Sequence, residues 1–375
     1  MKDLIKREGI GFLIPWLAKK NIEKLLNQNF KHPESLDSPI YIDQYDYYLL
    51  GMPLGLSVHW IAGNVPVLGV ISLFQTLLTK NKSIVKLPSA YKDVLPNLLF
   101  DLMNNEFFSS RISTTIKKLL ENIILVYIDK SDNENQALLS TIADIRICWG
   151  GADAVESVTG LPKKINCRDL IFGPKISLAY VSSAKLESED DVKDMAEKLA
   201  NDIYAFDQTG CNAPHNLIIE KGSRFNLSYI AEAIEEVFEK KSRLNELTKE
   251  PIDTFNILLK EFIYNSQDTL EGKTSKTGNW NIFIRYDKPK LEEPLYGRSI
   301  FISEIESIDN LGNMLPSNIQ SVGLFVPPQA KPLVMTELAR YGVDRFPNLG
   351  SMSIYQNPWD GYLPMQSMVK WISSN

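Results

Sequence analysis

From residue 56 onward, short apolar runs alternate with segments of helical length, and this alternation constrains the chain more than any other feature. The strand-like run 56–62 precedes a helix-length segment 65–80, and 83–87 precedes a helical stretch 92–104. The pairing returns as strand 123–128 with helix 134–142, then strand 144–149 with helix 152–160, the last opened by Gly150 and Gly151. Strand-helix alternation sustained over such a length predicts a parallel, doubly wound α/β sheet, which binds ligands at the carboxyl ends of its strands.

A second unit of the same kind follows the strand-like run 176–181. Residues 190–206 place Val192, Met195, Ala196, Leu199 and Ile203 on one helical face, with acidic residues in the first turn, and the helix stops before Gly210. Beyond it the pattern predicts strands at 217–220, 280–285, 299–302 and 322–326, and helices at 226–241, 252–264 and 332–341. The Gly-, Thr- and Lys-containing stretch 267–278 reads as a mobile loop. With 375 residues and 44% hydrophobic content, the expected layout is two α/β domains, 1–175 and 176–350, with 351–375 as a return segment.

Charge and rare residues narrow the function. Lys and Arg total 40 against 46 Asp and Glu, so the net charge is 40 − 46 = −6; no long basic block is present and nucleic acid is not an expected partner. Three widely spaced cysteines suit a reducing compartment, which points to the cytoplasm. Residues 9–18 are apolar but short and contain Pro15, so they read as a docking helix, neither signal peptide nor membrane span. Three histidines without metal-ligand spacing leave no expected metal site.

The most informative segment is Asp207-Gln208-Thr209-Gly210-Cys211-Asn212-Ala213-Pro214-His215. A cysteine between a helix stop and a strand, with small neighbours, reads either as an accessible nucleophile or as a small buried turn residue. The end of the preceding helix would disfavour a thiolate, so activation must come from elsewhere. Asn64, in Gly63-Asn64-Val65-Pro66, reads as an oxyanion donor at a strand-helix turn or as a helix N-cap. Lys86 ends an apolar strand, with Ser89 three residues on, and is either a ribose or phosphate contact or a snorkelling surface lysine. Gly150 and Gly151 suit a phosphate at a helix start but form no dinucleotide fingerprint. His215 reads better as a strand cap than as a partner of Cys211, and Cys148 and Cys167 read as structural.

In this order the pieces resemble the aldehyde dehydrogenase superfamily and, within it, the acyl-CoA reductase family typified by the fatty acid reductase of bacterial bioluminescence. The resemblance is carried by Gly63-Asn64-Val65-Pro66, Ile84-Val85-Lys86-Leu87-Pro88-Ser89, Trp149-Gly150-Gly151, Phe172-Gly173-Pro174-Lys175, Gln208-Thr209-Gly210-Cys211, Val343-Asp344-Arg345 and Trp359-Asp360-Gly361. It runs from about residue 54 to the C-terminus. It implies Cys211 as the acyl-accepting nucleophile, with the Asn64 side chain and the Cys211 backbone N–H as oxyanion donors. It further implies Lys86 and Ser89 at the adenosine ribose and its phosphate, and Gly150 and Gly151 lining the cofactor cleft. Ser89 stands where oxidative NAD enzymes of the superfamily often carry Glu, which favours NADPH.

Hydrolytic members place a glutamate just before the Gly-x-Lys turn to activate water, whereas Asp169-Leu170-Ile171-Phe172-Gly173 has apolar residues there. The resemblance therefore implies NADPH-dependent reduction of an acyl thioester, from CoA or a carrier protein, to an aldehyde. The alternatives are a CoA-acylating aldehyde dehydrogenase running oxidatively, and a non-reducing acyl-transfer partner. A companion acyl-transferring enzyme and a homo-oligomer are implied partners. Glu293 stands nearest to the place of a glutamate that contacts the nicotinamide ribose in relatives, but the local spacing differs and the resemblance assigns it no role.

Overall fold

The computed structural model describes residues 10–65, 67–90, 92–104, 109–244, 247 and 251–375. Gly9 of the expected docking helix and Pro66 of the Asn64 turn lie outside them. The chain divides into two compact units, Met1–Pro174 with Tyr355–Asn375, and Lys175–Ile354.

The first unit holds two sheets. In the smaller one, β1 (Ile40–Ile42) and β2 (Tyr47–Pro53) form an antiparallel hairpin, and the C-terminal strand β14 (Val369–Ser374) pairs antiparallel with β2. The larger sheet contains β3 (Leu56–Trp60), β4 (Lys82–Lys86), β5 (Ile123–Val126), β6 (Ile145–Trp149) and β7 (Arg168–Phe172). Their order is β5-β4-β3-β6-β7 and every pairing is parallel. The chain winds from β3 one way to β4 and β5, then the other way to β6 and β7, so the topological switch lies between β3 and β6. Strand β6 is buried throughout and carries Arg146, whose guanidinium makes two 2.7 Å bonds to the Asp169 carboxylate on neighbouring β7.

The second unit holds β8 (Ile176–Val181), β9 (Pro214–Glu220), β10 (Leu270–Thr274), β11 (Asn281–Arg285), β12 (Ser299–Ile305) and β13 (Ile319–Phe325). Their order is β10-β11-β12-β9-β8-β13, with only β10 antiparallel to its neighbour. The helix Glu189–Tyr204 begins at a capping box: the Ser188 hydroxyl accepts from Asp191 N–H while the Asp191 carboxylate accepts from Ser188 N–H. Its buried face, Val192, Met195, Ala196, Leu199 and Ile203, packs into the core formed with β8, β9, β11 and β12. Each large aliphatic side chain so buried contributes about 1.5–3 kcal/mol.

The two doubly wound sheets are those that the periodicity predicts, and several details differ. The stretch 267–278 is not a loop throughout, because 270–274 form the edge strand β10, paired residue for residue with β11. Its polar, glycine-containing composition is what a half-buried edge strand, paired on one side only, tolerates. The hairpin β1-β2, strand β14, strand β7 and the helices Ser110–Leu120 and Ile308–Met314 were not expected from the pattern. The apolar N-terminal stretch is a 3-10 turn, Ile10–Phe12, running into the short helix Leu13–Trp16. Among the described residues no helix is long and apolar enough to cross a membrane.

Candidate active site

In the first unit, Asn64, Lys86, Ser89, Gly150 and Gly151 all sit at the carboxyl edge of the parallel sheet, in or just after β3, β4 and β6. The turns touch: a Cβ on Gly63 would lie 3.4 Å from Ala90 Cβ and 3.5 Å from Pro88 Cβ, so the Asn64 turn lies against the loop that carries Ser89. Asn64 is exposed and is not a helix N-cap, because the next helix runs Leu68–Leu78 with Val67 at its N-cap.

Lys86 is half-buried, and desolvation lowers its pKa against the opposing pull of Tyr127 and Asp129. Among the described residues it makes no ion pair, which is unusual for a cation withdrawn from water. Ser89 is exposed. The helix Ala152–Thr159 starts at Gly151, around whose missing Cβ there is open space within 4 Å. Behind this edge, Trp149 stacks on Phe172 at 3.8 Å between ring centres.

Asp169 is withdrawn from chemistry. Besides Arg146, Lys163 Nζ lies 2.7 Å from its carboxylate, and these partners outweigh burial and hold its pKa below the usual range. Cys148 and Cys167 are buried, and burial pushes both thiols up, Cys148 to about 11. Cys211 alone of the three is partly exposed.

Cys211 belongs to the second unit, and its surroundings assemble at the amino edge of that sheet. The helix ahead of it ends at Tyr204, and Phe206, Asp207 and Gln208 then take consecutive left-handed conformations, φ 52°, 50° and 64°. Left-handed backbone costs such residues roughly 1–2 kcal/mol each, so other contacts must hold the turn. Gln208 does so with its side chain, donating to the carbonyls of Pro214 at 2.8 Å and Ser299 at 2.7 Å and accepting from Ser299 N–H. Asp207 pairs with the buried Arg298 guanidinium at 2.6 Å, and that guanidinium lies 4.2 Å from the centre of the Tyr204 ring. Tyr296, Gly297 and Arg298 form a second left-handed run.

Past this turn, Ser177 Oγ donates to the Cys211 carbonyl at 2.8 Å, and Gln320 Nε2 donates to the Cys211 sulfur at 3.3 Å. Asn212 is buried and donates to Met352 O at 2.8 Å. The Asp202 carboxylate accepts from Gly350 N–H at 2.5 Å and Met352 N–H at 2.8 Å. Burial pushes Asp202 up to about 7 against these bonds and the nearby Arg345 charge. Gly350 has φ +86°, and a Cβ there would come within 2.8 Å of Lys198 Cγ.

His215 is buried, and desolvation lowers its pKa to about 4, so the ring is neutral. It packs edge-on against Tyr296, 5.3 Å between ring centres. Glu293 is exposed, whereas its neighbour Glu292 is buried in a pairing with Lys260 and Arg285.

The structure thus groups five of the six residues singled out from sequence on one sheet edge of the first unit, and Cys211 belongs to the second unit, where it has polar neighbours of its own. Ser177, Gln208, Tyr296, Arg298 and Gln320 were missed. Of these, only Gln208 stands inside a recognisable motif; the others lie far from Cys211 in sequence, and no local pattern marks them.

The acyl-CoA reductase (LuxC) family model matches residues 2–371. The long-chain acyl-protein thioester reductase of Aliivibrio fischeri is 25% identical over 370 residues, covering 96% of this chain and 72% of the relative. That of Photobacterium phosphoreum is 27% identical over 348 residues, covering 89% of this chain and 65% of the relative. Among solved structures, the putative aldehyde dehydrogenase PutA from Anabaena variabilis superposes with a TM-score of 0.67 at 13% identity, covering 100% of this chain and 83% of that one. The succinic semialdehyde dehydrogenase from Streptococcus pyogenes, in complex with NADP+ as the cofactor, gives 0.63 at 12% identity, covering 94% and 80%. At these identities the structural likeness establishes the aldehyde-dehydrogenase-like fold alone.

Proposed function

This chain belongs to the acyl-CoA reductase (LuxC) family, and on that premise we propose that it reduces an acyl thioester to an aldehyde with NADPH, through an acyl group carried on Cys211. The observation that carries the reading is that Cys211 is partly exposed while Cys148 and Cys167 are buried with raised thiols. The likeness to long-chain acyl-protein thioester reductases favours a protein-bound acyl thioester as donor, with acyl-CoA serving the same chemistry.

In this reading the Cys211 thiolate attacks the thioester carbonyl and expels the carrier thiol. The Cys211 backbone N–H and the side-chain amide of Asn64, the latter assigned by the family resemblance, donate to the developing oxyanion. NADPH, when bound, supplies a hydride to the carbonyl carbon of the Cys211 thioester. The resulting thiohemiacetal collapses to the aldehyde and returns the sulfur as thiolate.

The carboxyl edge of the first unit fits the cofactor chemically. A half-buried lysine that makes no ion pair among the described residues is suited to a phosphate, Ser89 adds a hydroxyl without the charge that a glutamate would bring, and the open space at Gly151 admits a phosphate over a helix start. Asp169, the acid nearest the position of the hydrolytic base, is occupied by Arg146 and Lys163, so the acyl-enzyme lacks that route to a free acid. Three free thiols suit the cytoplasm as the site of the reaction.

The test is the intact mass of wild type and Cys211→Ala after incubation with acyl-CoAs and with an acylated carrier protein, before and after NADPH is added. An adduct on wild type alone, cleared by NADPH with release of aldehyde, is the expected result. An adduct that NADPH leaves in place would favour acyl transfer without reduction, and an adduct on both proteins would remove Cys211 from the chemistry.

A further inference from the structure

Two β-bulges meet at one residue of β8, and they explain how a polar group reaches the Cys211 sulfur. On β13, Ile319 pairs with Ile176 and Ser321 with Ser177, so Gln320 is an extra residue with no counterpart on β8. On the other side, Ser177 pairs with Pro214 and Leu178 with Asn216, so His215 is the extra residue of β9. A bulge re-aims the side chain it carries. Here Ser177, flanked by both, donates to the Cys211 carbonyl, Gln320 delivers its amide N–H to the sulfur, and His215 turns its ring against Tyr296.

The bulge at Gln320 is clamped. Its carbonyl accepts from both Asp344 N–H and Arg345 N–H, each at 3.0 Å, and Arg345 Nη1 reaches Ser321 Oγ at 3.3 Å. Asp344 is in turn paired with Lys175 at the start of β8. The Val343-Asp344-Arg345 motif therefore braces the residue that contacts the sulfur.

We infer that Gln320 is the donor that stabilises Cys211 as a thiolate, presented by the β13 bulge and held there by the Asp344-Arg345 backbone. The inference rests on the proposed role of Cys211 as nucleophile. An amide N–H on a buried, fixed side chain costs little to reorient when charge appears on sulfur, and bonds to charged groups are the strong ones. It also supplies the activation that the sequence requires from outside the preceding helix. Other titratable groups around the cysteine are the Tyr296 phenol, which burial and the Cys211 sulfur push up, the neutral His215, Arg345, and the Lys175–Asp344 pair. Gln320 donates to the sulfur directly, at 3.3 Å.

The experiment is alkylation of the full chain by iodoacetamide, the sulfur displacing iodide and its proton passing to buffer, with the modified cysteine identified by peptide mass. Rates at about pH 7 and about pH 10 are compared for wild type, Gln320→Leu and Gln320→Glu. The expected result is a fall of about tenfold at Cys211 in Gln320→Leu at the lower pH, a larger fall in Gln320→Glu, and rates near wild type at the higher pH, where the thiol ionises without help. Equal rates at both pH values would overturn the inference. Equal losses at both would also overturn it, by reducing Gln320 to a structural support. Should Gln320→Leu not fold, the shape-conserving Gln320→Glu decides by the same ratio. The nucleophile reading is judged separately, by acyl adduct formation in wild type: if no thioester acylates Cys211 while the alkylation pattern holds, the proposed function falls and the Gln320 contact stands.

Discussion

In the first unit the sheet β5-β4-β3-β6-β7 presents its candidate residues where the strands end, whereas in the second the sheet β10-β11-β12-β9-β8-β13 gathers them where the strands begin. The carboxyl edge is the usual place for a ligand on a doubly wound sheet, since the chain leaves each strand there in a loop free to vary. Asn64, Lys86, Ser89, Gly150 and Gly151 follow that rule. Around Cys211 the neighbouring polar groups come instead from Ser177 and Gln320 near the starts of β8 and β13, and from Tyr296 just before β12. Loops place the first set; bulges and left-handed turns place the second. The lesson is that a parallel sheet can serve either edge, but the amino edge demands irregular backbone to turn side chains toward a common point.

The contrast can be broken at either edge. Cys211→Ala should lower aldehyde formation on the order of 10⁴-fold or more while NADPH affinity stays unchanged, as measured by turnover and by fluorescence titration. A loss of cofactor binding in that variant would mean the edges are not separable in function. Asn64→Ala, at the opposite edge, should cost about 10²–10³-fold in kcat through the lost oxyanion donor, with NADPH affinity intact. A variant that changed only KM would move Asn64 from the reacting carbonyl to substrate binding.

Lys86→Ala is the mirror of the cysteine variant. Removing a charge-assisted phosphate contact should weaken NADPH roughly tenfold, yet leave acyl adduct formation in the absence of cofactor at the wild-type rate. Gly350→Ala tests the bracing of the second unit: left-handed backbone and the contact with Lys198 should reduce stability by about 1–3 kcal/mol, read from urea unfolding.

The smallest effect is on pH dependence, and there two groups of the second unit oppose each other. His215 has its pKa lowered from 6.5 to about 4, so as pH falls between those values the unfolded chain gains a proton that the folded one does not. Its contribution is present above 6.5 and is lost toward 4. Asp202 is raised from 3.8 to about 7, so the folded chain holds the extra proton, and its contribution is full below 3.8 and is lost as pH rises through 7. Asp202→Asn should therefore gain stability relative to wild type as pH is raised through that value. Urea midpoints that stay parallel across the range would remove Asp202 as a titrating group.

Much of the candidate site was legible because its signals are local. Alternation of period and length located β3, β4, β6, β8 and β9, and a helix stop followed by small residues marked Cys211. Other parts were misread for physical reasons. The stretch 267–278 looked like a loop because its edge strand pairs on one side only and, apart from the buried Leu270, carries polar residues and glycine. The hairpin β1-β2 was missed because β1 is only three residues long and its pairing with β2 leaves several tyrosines exposed. Asn64 as an N-cap was excluded only when the helix was found to start at Leu68.

By itself, then, the sequence determined the strand-helix alternation behind the two largely parallel sheets and marked candidate residues at the carboxyl edge of the first and a candidate cysteine in the second, because each depends on a pattern spanning one turn, one strand or one helix. The tertiary structure alone decided that Cys211 stands at the amino edge of its sheet and that Ser177 and Gln320, 34 and 109 residues away, supply its polar contacts. Those contacts depend on strand register and on two bulges, and register is set by how whole faces pack rather than by any neighbouring residue.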